Sequence, residues 1–136
     1  MRPYQLVIDG VVVLVGFAAL LLLSAAPGEA KQATTVTVTA GKPTEFGFVL
    51  SPKTVHHGAV TFEVTNRGTV PHDFKICASP KGGNANACAG KVTKLLSVGG
   101  SATLTYTFET KGTYEYLCTV PGHAAAGMKG RLRVTR

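Results

Sequence analysis

Residues 114–134 read YEYLCTVPGHAAAGMKGRLRV. At the front, Tyr114 and Tyr116 alternate with Glu115; at the back, Leu132 and Val134 alternate with Arg131 and Arg133. A period of two predicts a strand at each end, with one wet face and one buried face. Between them lies a loop rich in Gly and Ala that carries Cys118, His123 and Met128 in the spacing C-x4-H-x4-M. The stretch therefore predicts a strand–loop–strand unit whose loop concentrates three side chains able to bind a soft metal.

The same alternation recurs upstream. TTVTVTA at 34–40, TEFGFVL at 44–50, AVTFEVTN at 59–66, HDFKIC at 72–77, VTKLLSV at 92–98 and SATLTYTF at 101–108 are rich in β-branched and aromatic residues. Turn residues separate them, including Gly41-Lys42-Pro43, Gly99-Gly100 and Lys111-Gly112. TYEYLC at 113–118 and MKGRLRVT at 128–135 close the series. Seven to eight short strands at regular spacing predict an all-β fold, a Greek-key β-sandwich, with no called helix beyond a weak helical turn between Ala85 and Lys94.

An ion that cycles between Cu(I) and Cu(II) needs a compromise donor set. Thiolate and thioether suit Cu(I), imidazole serves both states, and two His with one Cys and a weak axial Met form the blue-copper arrangement. One loop supplies Cys118, His123 and Met128, so a second imidazole must come from another strand. His72 opens a predicted strand after Val70-Pro71 and precedes the core-facing Phe74. The predicted ligands are His72, Cys118, His123 and Met128, around one copper ion.

NRGTVPHDF at 66–74 together with YEYLCTVPGHAAAGMKGRLRV at 114–134 resembles the cupredoxin family, the plastocyanin/azurin-like type 1 blue-copper proteins. The resemblance covers nearly all of the chain after residue 30. The ligand loop is similar to those of rusticyanin, sulfocyanin and auracyanin, and longer between Cys and His than that of plastocyanin. It implies His72, Cys118 and His123 as equatorial ligands and Met128 as the axial one. It also implies single-electron transfer between redox partners that dock transiently near His123, by a monomer that is not an enzyme. The alternative is a periplasmic copper-delivery protein on the same scaffold; the single methionine after residue 30 argues for electron transfer. The family often has Asn or Ser after the first His, where this chain has Asp73. A carboxylate there is still able to accept from Thr119, and lowers the expected reduction potential.

The N-terminus is read apart from the domain. Arg2, the apolar run GVVVLVGFAALLLL at 10–23 and the small residues SAAPGEA ending at Ala30 match a secretory signal peptide. The alternative is an uncleaved membrane anchor, since the low-polarity run is at the short edge of what spans a bilayer. Both place the 31–136 domain in the periplasm or elsewhere outside the cytoplasm. That domain has 106 residues, enough for one modest core. Thirteen Lys and Arg against five Asp and Glu give it a net +8, scattered rather than blocked. Nucleic acid is not an expected partner; an acidic protein or an anionic membrane is compatible.

Three cysteines in an exported chain cannot all pair. Cys77 and Cys88 flank ASPKGGNANA and are expected to form a disulfide; two free thiols or a copper-relay site are the alternatives. Cys118 is left over, among the other ligand candidates. His56 and His57 are expected to be solvated loop residues, and Tyr106, Tyr114 and Tyr116 to pack on the sheets.

Overall fold

A computed structural model describes residues 33–78 and 88–136. The signal or anchor segment predicted at 1–30 lies outside these residues. Nine strands are described: β1 Thr34–Ala40, β2 Phe48–Ser51, β3 Thr54–His56, β4 Gly58–Asn66, β5 Lys75–Cys77, β6 Gly90–Val92, β7 Ser101–Phe108, β8 Gly112–Leu117 and β9 Lys129–Thr135. Among the described residues there is no helix, and 90–92 within the weak helical window is strand.

The strands form two mixed sheets, in the orders β2-β1-β4-β7 and β3-β9-β8-β5-β6. The β1–β4 and β3–β9 pairs are parallel and the others antiparallel. The alternation read from the sequence becomes one core between the sheets. Val36, Val38, Val60, Phe62 and Val64 meet Phe74, Ile76, Tyr114, Tyr116, Leu132 and Val134, all buried. Their threonine and charged neighbours face outward, so these strands bury one face without stranding a polar side chain. Tyr114 donates its hydroxyl to the Thr110 carbonyl at 2.8 Å, which satisfies the one polar atom of a buried ring. Tyr106 is only partly buried.

Several expected strands are shorter than the sequence suggests. The 44–50 stretch pairs only from Phe48, because Gly41 donates to the Gly47 carbonyl at 2.9 Å and closes 41–47 into a loop. The strand expected at 72–77 begins at Lys75; His72 instead makes an isolated bridge to Leu96. The stretch expected at 92–98 pairs at its start, in β6, and again only at the isolated bridge from Leu96 to His72. β3 was not expected. His56 lies in it, exposed, with Nδ1 3.2 Å from the Thr135 hydroxyl, which corrects its placement in a loop.

The register puts both parts of the predicted site at one end of the sandwich. β1 ends at Ala40 opposite Asn66 at the end of β4, and β8 ends at Leu117 opposite Lys129. The loops leaving those ends carry Glu45, His72 and the Cys118–Met128 segment. Asn66, wholly buried, fastens this end: its amide donates to the carbonyls of Val70 at 2.8 Å and Leu96 at 3.0 Å, and its Oδ1 accepts the Gly68 amide at 2.9 Å.

Candidate metal centre

The four residues predicted from the sequence come together. His72, Cys118 and Met128 are fully buried and His123 is partly exposed. The candidate ligand atoms of His72, Cys118 and His123 all lie within 4.8 Å of one another. Nδ1 of His72 is 3.1 Å from Nδ1 of His123, and Cys118 Sγ is 3.5 Å from the latter and 4.0 Å from the former. Met128 packs with Cys118 and Ala40 in one buried cluster.

Local backbone explains the placement. His72 exchanges both backbone hydrogen bonds with Leu96, at 3.1 and 2.8 Å, which fixes its Cα at the sheet end. The 118–128 loop folds back on itself: Cys118 N donates to Met128 O, Met128 N to His123 O and His123 N to Val120 O, each at 3.0 Å. Gly122 and Gly127 adopt φ of 85° and 110°, the left-handed turns that this reversal needs. Asp73 accepts the Thr119 amide at 2.6 Å and the Thr119 hydroxyl, as the sequence allowed.

Ala124, next to His123, does not face solvent: it is buried against Leu117 and the Cys77–Cys88 pair. The rim around His123 consists of Val120, Pro121, Gly122, Ala125 and Ala126, with Phe46 added: its ring stands edge-on to His123 at 5.0 Å and is exposed. Cys77 and Cys88 form the expected disulfide, with Cα atoms 5.5 Å apart. Cys118 is the free thiol.

Sequence reading missed Glu45. Its Oε1 lies 2.8 Å from Nε2 of His72, and its carboxylate also accepts from Thr69 and Val70. Hydrogen bonds from Thr69, then from His72, hold the Glu45 carboxyl down at about 2. Burial pushes the Cys118 thiol up to about 11. Burial, and then the neighbouring His72, lower the pKa of His123.

The donor set fits a trigonally bound ion. Bonds of about 2.0–2.3 Å to N and S at 120° place ligand atoms about 3.5–4 Å apart. The two distances to Cys118 Sγ fall in that range, and the N–N distance is slightly shorter. Two imidazoles, a thiol and a thioether, all but one of them fully buried, match the preferences of copper in both oxidation states.

The sequence profile of the "copper binding proteins, plastocyanin/azurin family" matches residues 34–135. The chain belongs to this family. It is a cupredoxin, and its cofactor is copper. Among curated proteins it is similar to auracyanin-B of Chloroflexus aurantiacus, 51% identical over 43 residues. That match spans 32% of this cupredoxin and 18% of the relative. Among solved structures, auracyanin B superposes with a TM-score of 0.63 at 28% identity, over 76% of this chain and 90% of that one. Rusticyanin from Thiobacillus ferrooxidans gives a TM-score of 0.59 at 27% identity, over 74% of this cupredoxin and 76% of the other chain.

Proposed function

We propose that the chain is a type 1 blue-copper protein that carries single electrons between redox partners outside the cytoplasm. His72 and His123 through Nδ1, Cys118 through Sγ, and Met128 would hold the copper ion. The observation that carries this reading is the convergence of the candidate ligand atoms of His72, Cys118 and His123 within 4.8 Å of one another, with Met128 packed in the same buried cluster as Cys118.

When bound, copper supplies a centre that gains and loses one electron. The chain's own residues keep the cost of that change low. His72 is pinned by two backbone hydrogen bonds to Leu96, and Cys118 by its own to Met128. Donors held in place do not have to rearrange when the charge changes. Cys118, Met128 and His72 are shut from water, while His123 reaches the surface between Phe46 and the 120–126 loop. Electrons pass at that exposed imidazole edge, where small apolar residues let a partner approach closely. Docking there is transient and small in area. The basic surface steers an acidic partner, so transfer rates fall as salt rises; a rate unmoved by salt removes the steering.

Export rests on the apolar run at 10–23 and on the disulfide, a bond that persists in oxidising compartments. Residues 1–30 either leave as a signal peptide or hold the protein at a membrane.

Loading with Cu(II) tests the assignment. The protein is expected to turn intensely blue or green from thiolate-to-copper charge transfer and to bleach reversibly on reduction. Cys118→Ser is expected to lose the colour and keep the fold. A colourless protein that binds only Cu(I) would replace electron transfer with copper delivery.

A further inference from the structure

His72 has two ring nitrogens, and the copper assignment uses one. Nδ1 faces His123 and Cys118, whereas Nε2, on the far side of the ring, meets Glu45 Oε1 at 2.8 Å. The same carboxylate accepts the Thr69 amide at 3.0 and 2.9 Å, the Thr69 hydroxyl at 2.8 Å and the Val70 amide at 3.3 Å. Room for the pair is built in. A Cβ on Gly68 would stand 2.3 Å from Glu45 Oε1 and 2.8 Å from His72 Nε2. A Cβ on Gly41, at φ 77°, would stand 2.3 Å from the Gly68 Cα. Two glycines thus let the 41–47 loop close on the 66–70 turn with a carboxylate between them.

A neutral imidazole carries its proton on one nitrogen, and the partner of that nitrogen decides which one it is. Donation from Nε2–H to a carboxylate leaves Nδ1 with its lone pair free for a metal, and raises the basicity of that lone pair. A negative charge behind the ligand also favours the more highly charged ion. Of the five acidic residues after Ala30, two flank His72: Glu45 behind its ring and Asp73 beside it in sequence.

We propose that Glu45 is a positioning residue of the metal centre, holding His72 in the Nε2–H form with Nδ1 presented to the metal and lowering the reduction potential by its charge. This rests on the reading of the site as a type 1 copper centre. The competing role is a loop clasp, in which Glu45 ties Thr69 and Val70 and touches His72 only by proximity. The two roles separate under substitution. Glu45→Gln keeps an acceptor and removes the charge. Glu45→Ala removes both. Thr69→Val removes one donor to Glu45 and leaves the contact with His72.

The test compares these three variants with the wild-type chain by Cu(II) absorption, by voltammetry and by Zn(II) affinity in chelator competition. A wild-type protein without the charge-transfer band would overturn the copper reading itself, whatever Glu45 does. With the band present, Glu45→Gln is expected to raise the potential and Glu45→Ala to weaken Zn(II) binding about 10–100-fold. Thr69→Val is expected to lower the melting temperature while leaving potential and affinity at wild-type values. A Glu45→Gln potential equal to wild type, or an equal shift in Thr69→Val, overturns the electrostatic role. Unchanged Zn(II) affinity in Glu45→Ala overturns the positioning role. Should Glu45→Ala not fold, the Zn(II) affinity of the Gly68→Ala protein, whose new methyl group pushes Glu45 from His72, decides the positioning role by the same criterion.

Discussion

Asp73 Oδ1 accepts the amide hydrogen of Thr119 at 2.6 Å, and Asp73 Oδ2 accepts the Thr119 hydroxyl. Asp73 follows His72 in the chain and Thr119 follows Cys118, so one side chain links the backbones of two proposed ligands drawn from different loops. The same carboxylate is nearly buried and adds negative charge beside the metal. Asp73→Asn keeps an acceptor for the amide and removes the charge. It is expected to raise the reduction potential by tens of millivolts, a tenfold shift in the Cu(I)/Cu(II) ratio being about 59 mV. Asp73→Ala also removes both hydrogen bonds from Thr119 to a charged acceptor and should lower stability by about 1–3 kcal/mol. Voltammetry and urea unfolding measure the two effects separately; an unmoved potential in Asp73→Asn would leave Asp73 a purely mechanical link.

Burial holds the metal-free Cys118 thiol near 11, and a thiol must lose its proton to bind a metal. At pH 7 it is protonated, whereas His123, with its pKa lowered by burial, is neutral and ready. The sign follows: metal binding releases a proton from Cys118, so affinity rises with pH until the free thiol itself ionises. Zn(II), which has no redox chemistry, is the clean probe. Titration in weak buffer at pH 7 is expected to release about one proton per ion, with apparent affinity rising about tenfold per pH unit between 7 and 9. Cys118→Ser should remove the release, and a wild-type protein that binds Zn(II) without it does not use Cys118.

The sequence was most legible where burial alone decides structure. TTVTVTA and SATLTYTF alternate without interruption, and β1 and β7 occupy those residues in full. Legibility failed where side chains capture backbone groups. Residues 44–47 carry a strand-like pattern, yet the Glu45 carboxylate serves Thr69, Val70 and His72 and holds them in a loop. Val92–Val98 alternates as well, but the Leu96 carbonyl also accepts from the Asn66 side chain, and beyond β6 pairing shrinks to the isolated bridge between Leu96 and His72. β3 has three residues, too few to show a period. The proposed ligands in the 118–128 loop stood out because a metal site imposes local spacing. Glu45 reaches His72 across 27 residues, and no local pattern encodes that approach.

The Cys77–Cys88 disulfide packs against Ala124, next to His123. It closes a loop with a sequence separation of 11, for which a contribution of about 2–4 kcal/mol is expected. The Cys77→Ser/Cys88→Ser protein should unfold at correspondingly lower denaturant and still show the charge-transfer band, because neither sulfur belongs to the proposed donor set. Loss of the band in a folded double variant would instead implicate this pair in metal binding.

Asn66 offers the sharpest stability test, since its single buried amide serves three backbone groups. Val70 and Leu96 carbonyls receive its two hydrogens, and Gly68 donates to its oxygen. No water can replace a side chain that is wholly buried unless the end of the sandwich opens. Asn66→Ala is expected to cost on the order of 3 kcal/mol in urea unfolding of the metal-free protein. Asn66→Asp keeps the acceptor for Gly68 but turns a carboxylate oxygen toward two carbonyls, so it should rescue little. The 67–71 turn leads directly into His72, so both variants should also bind Zn(II) more weakly than wild type. A loss below about 1 kcal/mol in Asn66→Ala, with Zn(II) affinity unchanged, would show that the bridge to Leu96 holds His72 without this amide.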